Sequence, residues 1–350
     1  MIKPLNLKKL VLIIAVAGLF VAFAVAGYVY FKAFTPNTTF NQKEVFVYIP
    51  SGSTYEQAKE ELAPFLKNMD KFDFVAKQRK YDRNVKAGKF LIKQNMNSFD
   101  MIRALRQNIP VKVAFNNQET LEKLVQRLAT QLEPDSLALV QAFTAPEFLQ
   151  ENGFTEEDIL AMFIPNSYEF YWNTPANKLA DKFVKEYKRF WNPRRIQKAM
   201  DKNLSPVEVS VLASIVHKET AKVDERPRVA GVYLNRLRTG MPLQADPTII
   251  YAMKKKSGDF DQVIKRVLHA DLTIESPYNT YKYAGLPPGP IAMPDISAID
   301  AVLNAEDHNY IYFCASPDKP GYHAFATNFE QHQVNARKYA QWVNKLGINR

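Results

Sequence analysis

The chain has 350 residues, long enough for an anchoring segment and more than one compact unit. Its composition, 47% hydrophobic, 12% aromatic and 23% charged with no low-complexity tract, excludes a disordered chain. A net charge of +10 favours anionic partners. The lysines and arginines are scattered over amphipathic segments without a zinc-finger or RNP-like pattern, so nucleic acid is not an expected partner.

Residues 10–31 carry no charge and as a helix would run roughly 33 Å, enough to cross a bilayer core. Lys3, Lys8 and Lys9 precede this span and Lys32 alone follows closely, which predicts a cytoplasmic tail over 1–9 and all later residues on the far side. Tyr28, Tyr30 and Phe31 fit an interfacial aromatic belt at the outer end. The alternative is a signal peptide cut near Ala24, Val25 and Ala26, but the apolar run continues past that point. Either reading exports the rest, and the first makes the chain a single-pass membrane protein with its amino end in the cytoplasm.

Residues 32–43 read as a short polar linker containing Pro36, Asn37 and neighbouring threonines. Beyond it a strand over 45–49 leads through Ser51, Gly52 and Ser53 into a helix carrying Ala58 and Leu62. The same strand-turn-helix pattern recurs at 111–115, followed by Thr120 and a helix carrying Leu121, Leu124, Val125 and Leu128. Between the two, a helix is expected over 72–80, a strand at 90–92, and a helix with Ser98 as its N-cap through Leu105. This strand, helix, helix, strand order over 44–110, with Val85 to Phe90 leading into the second strand, resembles a LysM-like glycan-binding module; a structural spacer is the other reading.

Ser205, Pro206 and Glu208 form a strong helix start: a serine N-cap, proline at the first helical position, and glutamate placed to close a capping box. Along that helix Leu212, Ile215 and Val216 share a face that continues to Glu219 and Val223, making Glu219 the one acid on an apolar stripe. Desolvation there raises a carboxyl pKa and keeps the proton that a general acid needs. On this helix alone, a structural glutamate paired with Lys218, Lys222, Arg226 or Arg228 is the alternative.

A second helix opens at Arg226 and Pro227, puts Val229, Val232, Tyr233 and Leu237 on one face, and ends at Gly240. Leu243, Gln244, Ala245, Asp246, Pro247 and Thr248 follow as an expected loop. Two further turn-rich segments, at 276–281 and 285–290, combine tyrosines, amides and hydroxyls in the manner of a sugar-binding groove. Cys314, the single cysteine, sits in an apolar run over 310–314 read as a buried strand. The five histidines show no metal-binding spacing, so neither metal nor cofactor is expected.

Several of these segments together resemble the YceG-like family of endolytic murein transglycosylases. They are Leu212 to Glu219, Val232 to Leu237, Met241 to Thr248, Tyr278 to Tyr281, Gly285 to Gly289, Phe163 to Tyr168, Gly321 to His323 and Glu330 to His332. Members often carry a glutamate two residues before the catalytic one, where this chain has His217, a position that faces away from Glu219.

The resemblance implies an α+β protein with a transmembrane helix, a LysM-like module and a catalytic domain over 111–345. It implies cleavage of the β-1,4 bond between N-acetylmuramic acid and N-acetylglucosamine to leave 1,6-anhydro ends, with Glu219 as single acid/base, and termination of nascent strand elongation. It implies peptidoglycan glycan strands as substrate and peptidoglycan synthases as partners at the membrane. Gln244, Asp246, Tyr278, Asn279, Thr280, Tyr281, Asn235 and His323 are the expected substrate-binding residues, with Asp246 and Glu275 as further acids and His332 as a further sugar-binding candidate. A hydrolytic muramidase and a non-enzymatic wall-binding protein are the rival readings.

Overall fold

In the computed structural model, which describes residues 7–345, the chain is a mixed α+β protein of helices and small two-stranded sheets. Lys3 lies outside the described residues. The first helix, α1 (Leu7–Phe34), is longer at both ends than the expected span and is long and apolar enough to cross a membrane once. The chain divides into two compact units: the first runs to Lys112 and adds Gln131–Glu133 and Glu169–Thr174, and the second holds the remainder.

In the first unit β1 (Glu44–Ile49) is followed by α2 (Tyr55–Leu62), α3 (Met69–Gln78), β2 (Gly88–Lys93) and α4 (Ser98–Ala104). β1 and β2 pair antiparallel with Val47 opposite Phe90, so Val47, Ile49, Phe90 and Ile92 share the buried face with Phe72, Val75 and Leu62 from the helices. Gly88 has φ +141°, and a Cβ there would meet the Asn108 side chain at 2.4 Å, so only glycine fits.

Two expectations change here. Asn97, not Ser98, caps α4, accepting the Asp100 N–H at 2.8 Å; Ser98 is instead buried, where its hydroxyl takes the Asn37 amide at 3.0 Å. The stretch after α1 is not a loose linker: Asn37 and Thr38 are buried, and Asn37 accepts the Asn68 N–H at 3.0 Å. The aromatic end of α1 is likewise packed, with Tyr28 edge-on to Phe74 at 5.6 Å and Phe34 against Phe99 at 5.3 Å.

β3 (Pro110–Phe115) leads to α5 (Leu121–Ala129), α6 (Ser136–Phe143), α7 (Pro146–Asn152) and β4 (Asn166–Tyr171), with β3 paired to β4. Phe143, Phe163 and Phe183 meet edge to face at 5.0 to 6.0 Å and form an aromatic nucleus of the second unit. Then come α8 (Ala176–Phe190), α9 (Pro193–Met200), α10 (Pro206–Glu219), α11 (Arg226–Arg238), α12 (Asp246–Ser257) and α13 (Ile296–Leu303). The hairpin of β5 (Tyr312–Ala315) and β6 (His323–Ala326) and the helix α14 (Phe329–Lys345) close the described chain.

α10 is the central helix of its unit, packed on α11, α12 and α13 with every residue from Val209 to Val216 buried. Gly231 of α11 allows close approach, since a Cβ there would meet the Glu306 carbonyl and His308 Nε2, both at 2.6 Å. The apolar stripe of α10 stops at Glu219: Thr220 is extended at φ −137°, and Val223 is 56% exposed. Asp246 and Pro247 do not form a loop but open α12, because proline suits the first helical turn as well as it ends a preceding one. α11 ends at Thr239 with Gly240 just beyond at φ +69°. Cys314 is half-buried, not buried.

Candidate active site

α10 is built to deliver one carboxyl at its end. Ser205 accepts the Glu208 N–H at 3.2 Å while the Glu208 carboxylate accepts the Ser205 N–H at 2.7 Å, and Pro206 follows the cap. From there a fully buried run holds the helix in register to its last residue, Glu219, which is half-buried. The Tyr233 hydroxyl of α11 donates to Glu219 Oε1 at 2.7 Å.

Burial is the largest influence on Glu219 and pushes its pKa up to about 7; the Tyr233 hydrogen bond and Arg236 pull it down, and Asp246 pushes it further up. Its place at the carboxyl end of α10, where the helix dipole disfavours negative charge, acts in the same direction as burial. A carboxyl poised near neutral both donates a proton and, as carboxylate, accepts one. None of the expected salt-bridge partners holds it. Lys218 pairs with Glu119 at 2.8 Å, Arg226 with Asp295 at 3.8 Å, and Arg228 with Glu306 at 2.9 Å.

The neighbours of Glu219 are themselves fixed. Arg236 is buried and donates to the carbonyls of Ile311 at 2.7 Å and Leu243 at 2.5 Å, and burial lowers its pKa. The Tyr281 hydroxyl donates to Asp246 Oδ1 at 2.5 Å, and burial with Asp246 raises the Tyr281 pKa. Gln244 is exposed and left-handed at φ +49°, a strained conformation for a residue with a Cβ, and its N–H donates to the Thr280 carbonyl at 3.0 Å. Asp246 and Tyr281 therefore act electrostatically with Glu219, and Gln244 is an exposed side chain two residues before Asp246.

The other expected binding residues are committed to the scaffold. Thr280 accepts the Ala245 N–H at 3.0 Å and bonds the Thr248 hydroxyl at 2.8 Å, tying the Gln244 turn to the Tyr281 segment. Asn279, fully buried, donates to the carbonyls of Leu272 and Ile274 and accepts the Tyr281 N–H at 2.9 Å. Asn235 donates to the carbonyls of His308 and Tyr310 at 2.7 and 3.0 Å. Tyr278 is 1% exposed, its ring 4.7 Å from that of Tyr251. His323 is held by Glu225, and His332 stacks on Tyr312 at 5.2 Å. Glu275 lies exposed with Lys282 beside it, which lowers its pKa. These side chains all have partners or neighbours within the protein.

Glu225 is a residue next to the candidate site that the sequence did not flag. Buried just past α10, it accepts the His323 N–H at 2.7 Å, faces His323 Nδ1 at 2.8 Å, and accepts the Thr220 hydroxyl at 3.1 Å. Thr220 directly follows Glu219, so one carboxylate ties the end of α10 to β6. Tyr233 was also missed, because its place on an apolar face reads as core; the signal was its hydroxyl, which a buried tyrosine must satisfy. His217 faces away from Glu219 and sits 3.2 Å from Asp295, with its pKa lowered chiefly by burial. Among the described residues, no three His, Cys, Asp or Glu side chains converge as a metal site.

Residues 47–338 match the model of the YceG-like family. Two proteins of Streptococcus pneumoniae named endolytic murein transglycosylase are each 28% identical over 89% of this chain, and the chain spans only 62% of their length. A Bacillus subtilis protein of the same name is 34% identical over 52% of the chain and 48% of its own length. A crystal structure of a YceG-like protein from Listeria monocytogenes superposes with a TM-score of 0.53 at 25% identity, covering 84% of this chain and 99% of that one. The family match spans most of the sequence and includes both units and the helix that carries Glu219, and on that ground the chain belongs to the YceG-like family.

Proposed function

We propose that the protein is a membrane-anchored endolytic lytic transglycosylase of peptidoglycan, with Glu219 as its single general acid and base. The observation that carries the reading is the half-buried Glu219 carboxyl at the end of α10, near-neutral in pKa and bonded to Tyr233. The names of its relatives support the substrate class. In the proposed reaction Glu219 protonates the oxygen between N-acetylmuramic acid and N-acetylglucosamine as the bond to the anomeric carbon breaks. Glu219 then takes the proton of the muramyl 6-hydroxyl, whose oxygen closes on that carbon to leave a 1,6-anhydro end. No water is consumed. Gln244, Asp246 and Tyr281 line the strand's path.

A hydrolytic muramidase needs a second carboxylate to direct water. Asp246 is the acid that acts on Glu219, and the Tyr281 hydroxyl engages it, an arrangement that favours a fixed wall over a general base. A wall-binding protein without catalysis has no use for a desolvated carboxyl near neutral pKa.

The anchor reading places the amino end in the cytoplasm of a single-pass inner-membrane protein, the LysM-like module and catalytic domain outside it, and synthases of the growing strand as partners that the enzyme cuts behind. In full-length protein, Glu219→Gln is expected to lower glycan cleavage at least 1000-fold while strand binding persists and the thermal midpoint does not fall. Cleavage retained in that variant would overturn the assignment.

A further inference from the structure

The transmembrane-length helix α1 ends inside the first unit. Its Ala33 is 5% exposed and belongs to the core that holds Phe72, Val75 and Phe90. Three residues past its end Asn37 is fully buried, its N–H donating to the Met96 carbonyl at 3.0 Å and its side-chain amide to the Asn68 carbonyl at 2.9 Å. α1 therefore enters the unit as a packed element and not as a tether.

The packing also fixes a height. Tyr28 meets Phe74 of α3 at 5.6 Å, and Phe34 meets Phe99 of α4 at 5.3 Å. Between them Lys71 of α3 lies 3.9 Å from the Phe31 ring and donates to Thr35 Oγ1 at 2.8 Å. α3 and α4 thus lie beside residues 28–35, about 10 Å of helix rise. In the anchor reading the uncharged run ends at Phe31. Residues 28–35 then straddle the outer edge of the hydrocarbon core and the headgroup layer, which is roughly 5 to 8 Å deep on each side.

The side chains around this contact suit that layer. Phe74 and Phe99 are half-buried, so part of each ring stays open. From Lys67 to Arg106 the chain carries eleven Lys and Arg against four Asp and no Glu. Lys71 is committed to Thr35, Lys77 to Asp73 at 3.1 Å and Arg103 to Asp100 at 3.4 Å. Lys32, Arg79 and Lys80 make no ion pair among the described residues, and Lys32 and Arg79 lie over the Tyr28 and Phe99 rings at 5.7 and 5.1 Å. Aromatic rings with uncompensated cations beside them, next to the end of a membrane span, are the complement of lipid headgroups. We propose that α3 and α4 seat the first unit directly on the outer leaflet of the bilayer that α1 crosses, with Phe74 and Phe99 among the headgroups and Lys32, Arg79 and Lys80 against lipid phosphates. The proposal rests on the anchor reading above.

The test places single nitroxide labels on the full chain in a Cys314→Ser background, in vesicles of equal parts phosphatidylcholine and phosphatidylglycerol. The labelled positions are Val21→Cys in the middle of α1, Gln78→Cys on the Lys71 and Phe74 face of α3, and Glu60→Cys on α2, all exposed. Dissolved oxygen, which concentrates in lipid, reports whether Val21 lies in the hydrocarbon core, and nickel held on a chelating headgroup lipid reports nearness to the bilayer surface. Headgroup nickel is expected to relax the Gln78 label several-fold more than the Glu60 label, and to lose most of that effect when Arg79→Gln and Lys80→Gln are added. Should the Gln78 label lower the thermal midpoint, one at Lys77 replaces it. Unchanged relaxation in the double variant would overturn the role of the two cations. Relaxation at Gln78 as weak as at Glu60, with Val21 in lipid, would overturn the seating and leave the anchor standing; a Val21 label out of reach of lipid oxygen would overturn the anchor reading and the seating with it.

Discussion

Glu219 is half-buried among groups that oppose one another: burial and Asp246 favour its protonated form, Tyr233 and Arg236 its anion. Removing the Tyr233 hydroxyl removes a stabiliser of the anion, so Tyr233→Phe is expected to raise the Glu219 pKa by about one unit. The basic limb of kcat/KM against pH then moves upward and kcat falls about tenfold, as a pH–rate series would record; a limb moving downward would contradict the geometry. The same carboxyl lowers stability once it ionises. Its folded pKa of about 7 lies above the ordinary carboxylate value of 4.5, so its stabilising effect is full below pH 4.5 and is lost as pH rises through 7. Glu219→Gln should therefore match wild type near pH 4 and exceed it by about 2 kcal/mol at pH 8 in denaturant unfolding. At this scale the sequence was legible where one residue breaks a pattern, as Glu219 does. It was silent where a residue's partner is remote in the chain: Asn235, Asn279 and Thr280 read as groove residues because nothing local shows the carbonyls and N–H groups that engage them.

Among the elements, α10 was read well at its start because Ser205, Pro206 and Glu208 encode a cap locally. Its end was not, because the extended Thr220 is held by the distant Glu225 and by Arg226, whose Nε donates to the Thr220 carbonyl at 3.3 Å. Pro247 was ambiguous for a related reason: proline ends one helix and begins another, and only tertiary packing decides. The tie through Glu225 makes a prediction. Glu225→Ala leaves buried His323 and Thr220 groups without their acceptor and should lower unfolding stability by about 3 kcal/mol, with the rate of cleavage at saturating substrate falling as the end of α10 loosens. A variant as stable and as fast as wild type would remove Glu225 from the site. Leu212→Ala, in the fully buried centre of α10, should lower stability by about 3 kcal/mol as well but through packing alone.

For the molecule as a whole, the α+β class and the transmembrane-length helix were both readable from periodicity and composition. The packed stretch at Asn37 and Thr38 was not, since polar residues before a strand look the same whether they face water or a buried amide network. The transmembrane-length helix, the Glu219 carboxyl at the end of α10 and the family membership support one proposed chemical claim, cleavage without water. It is tested most directly by incubating full-length protein with uncrosslinked peptidoglycan strands and weighing the new ends. The account predicts 1,6-anhydro-muramyl termini that are lighter by one water than reducing ends, and none from Glu219→Gln; reducing muramyl termini from the wild type would contradict it.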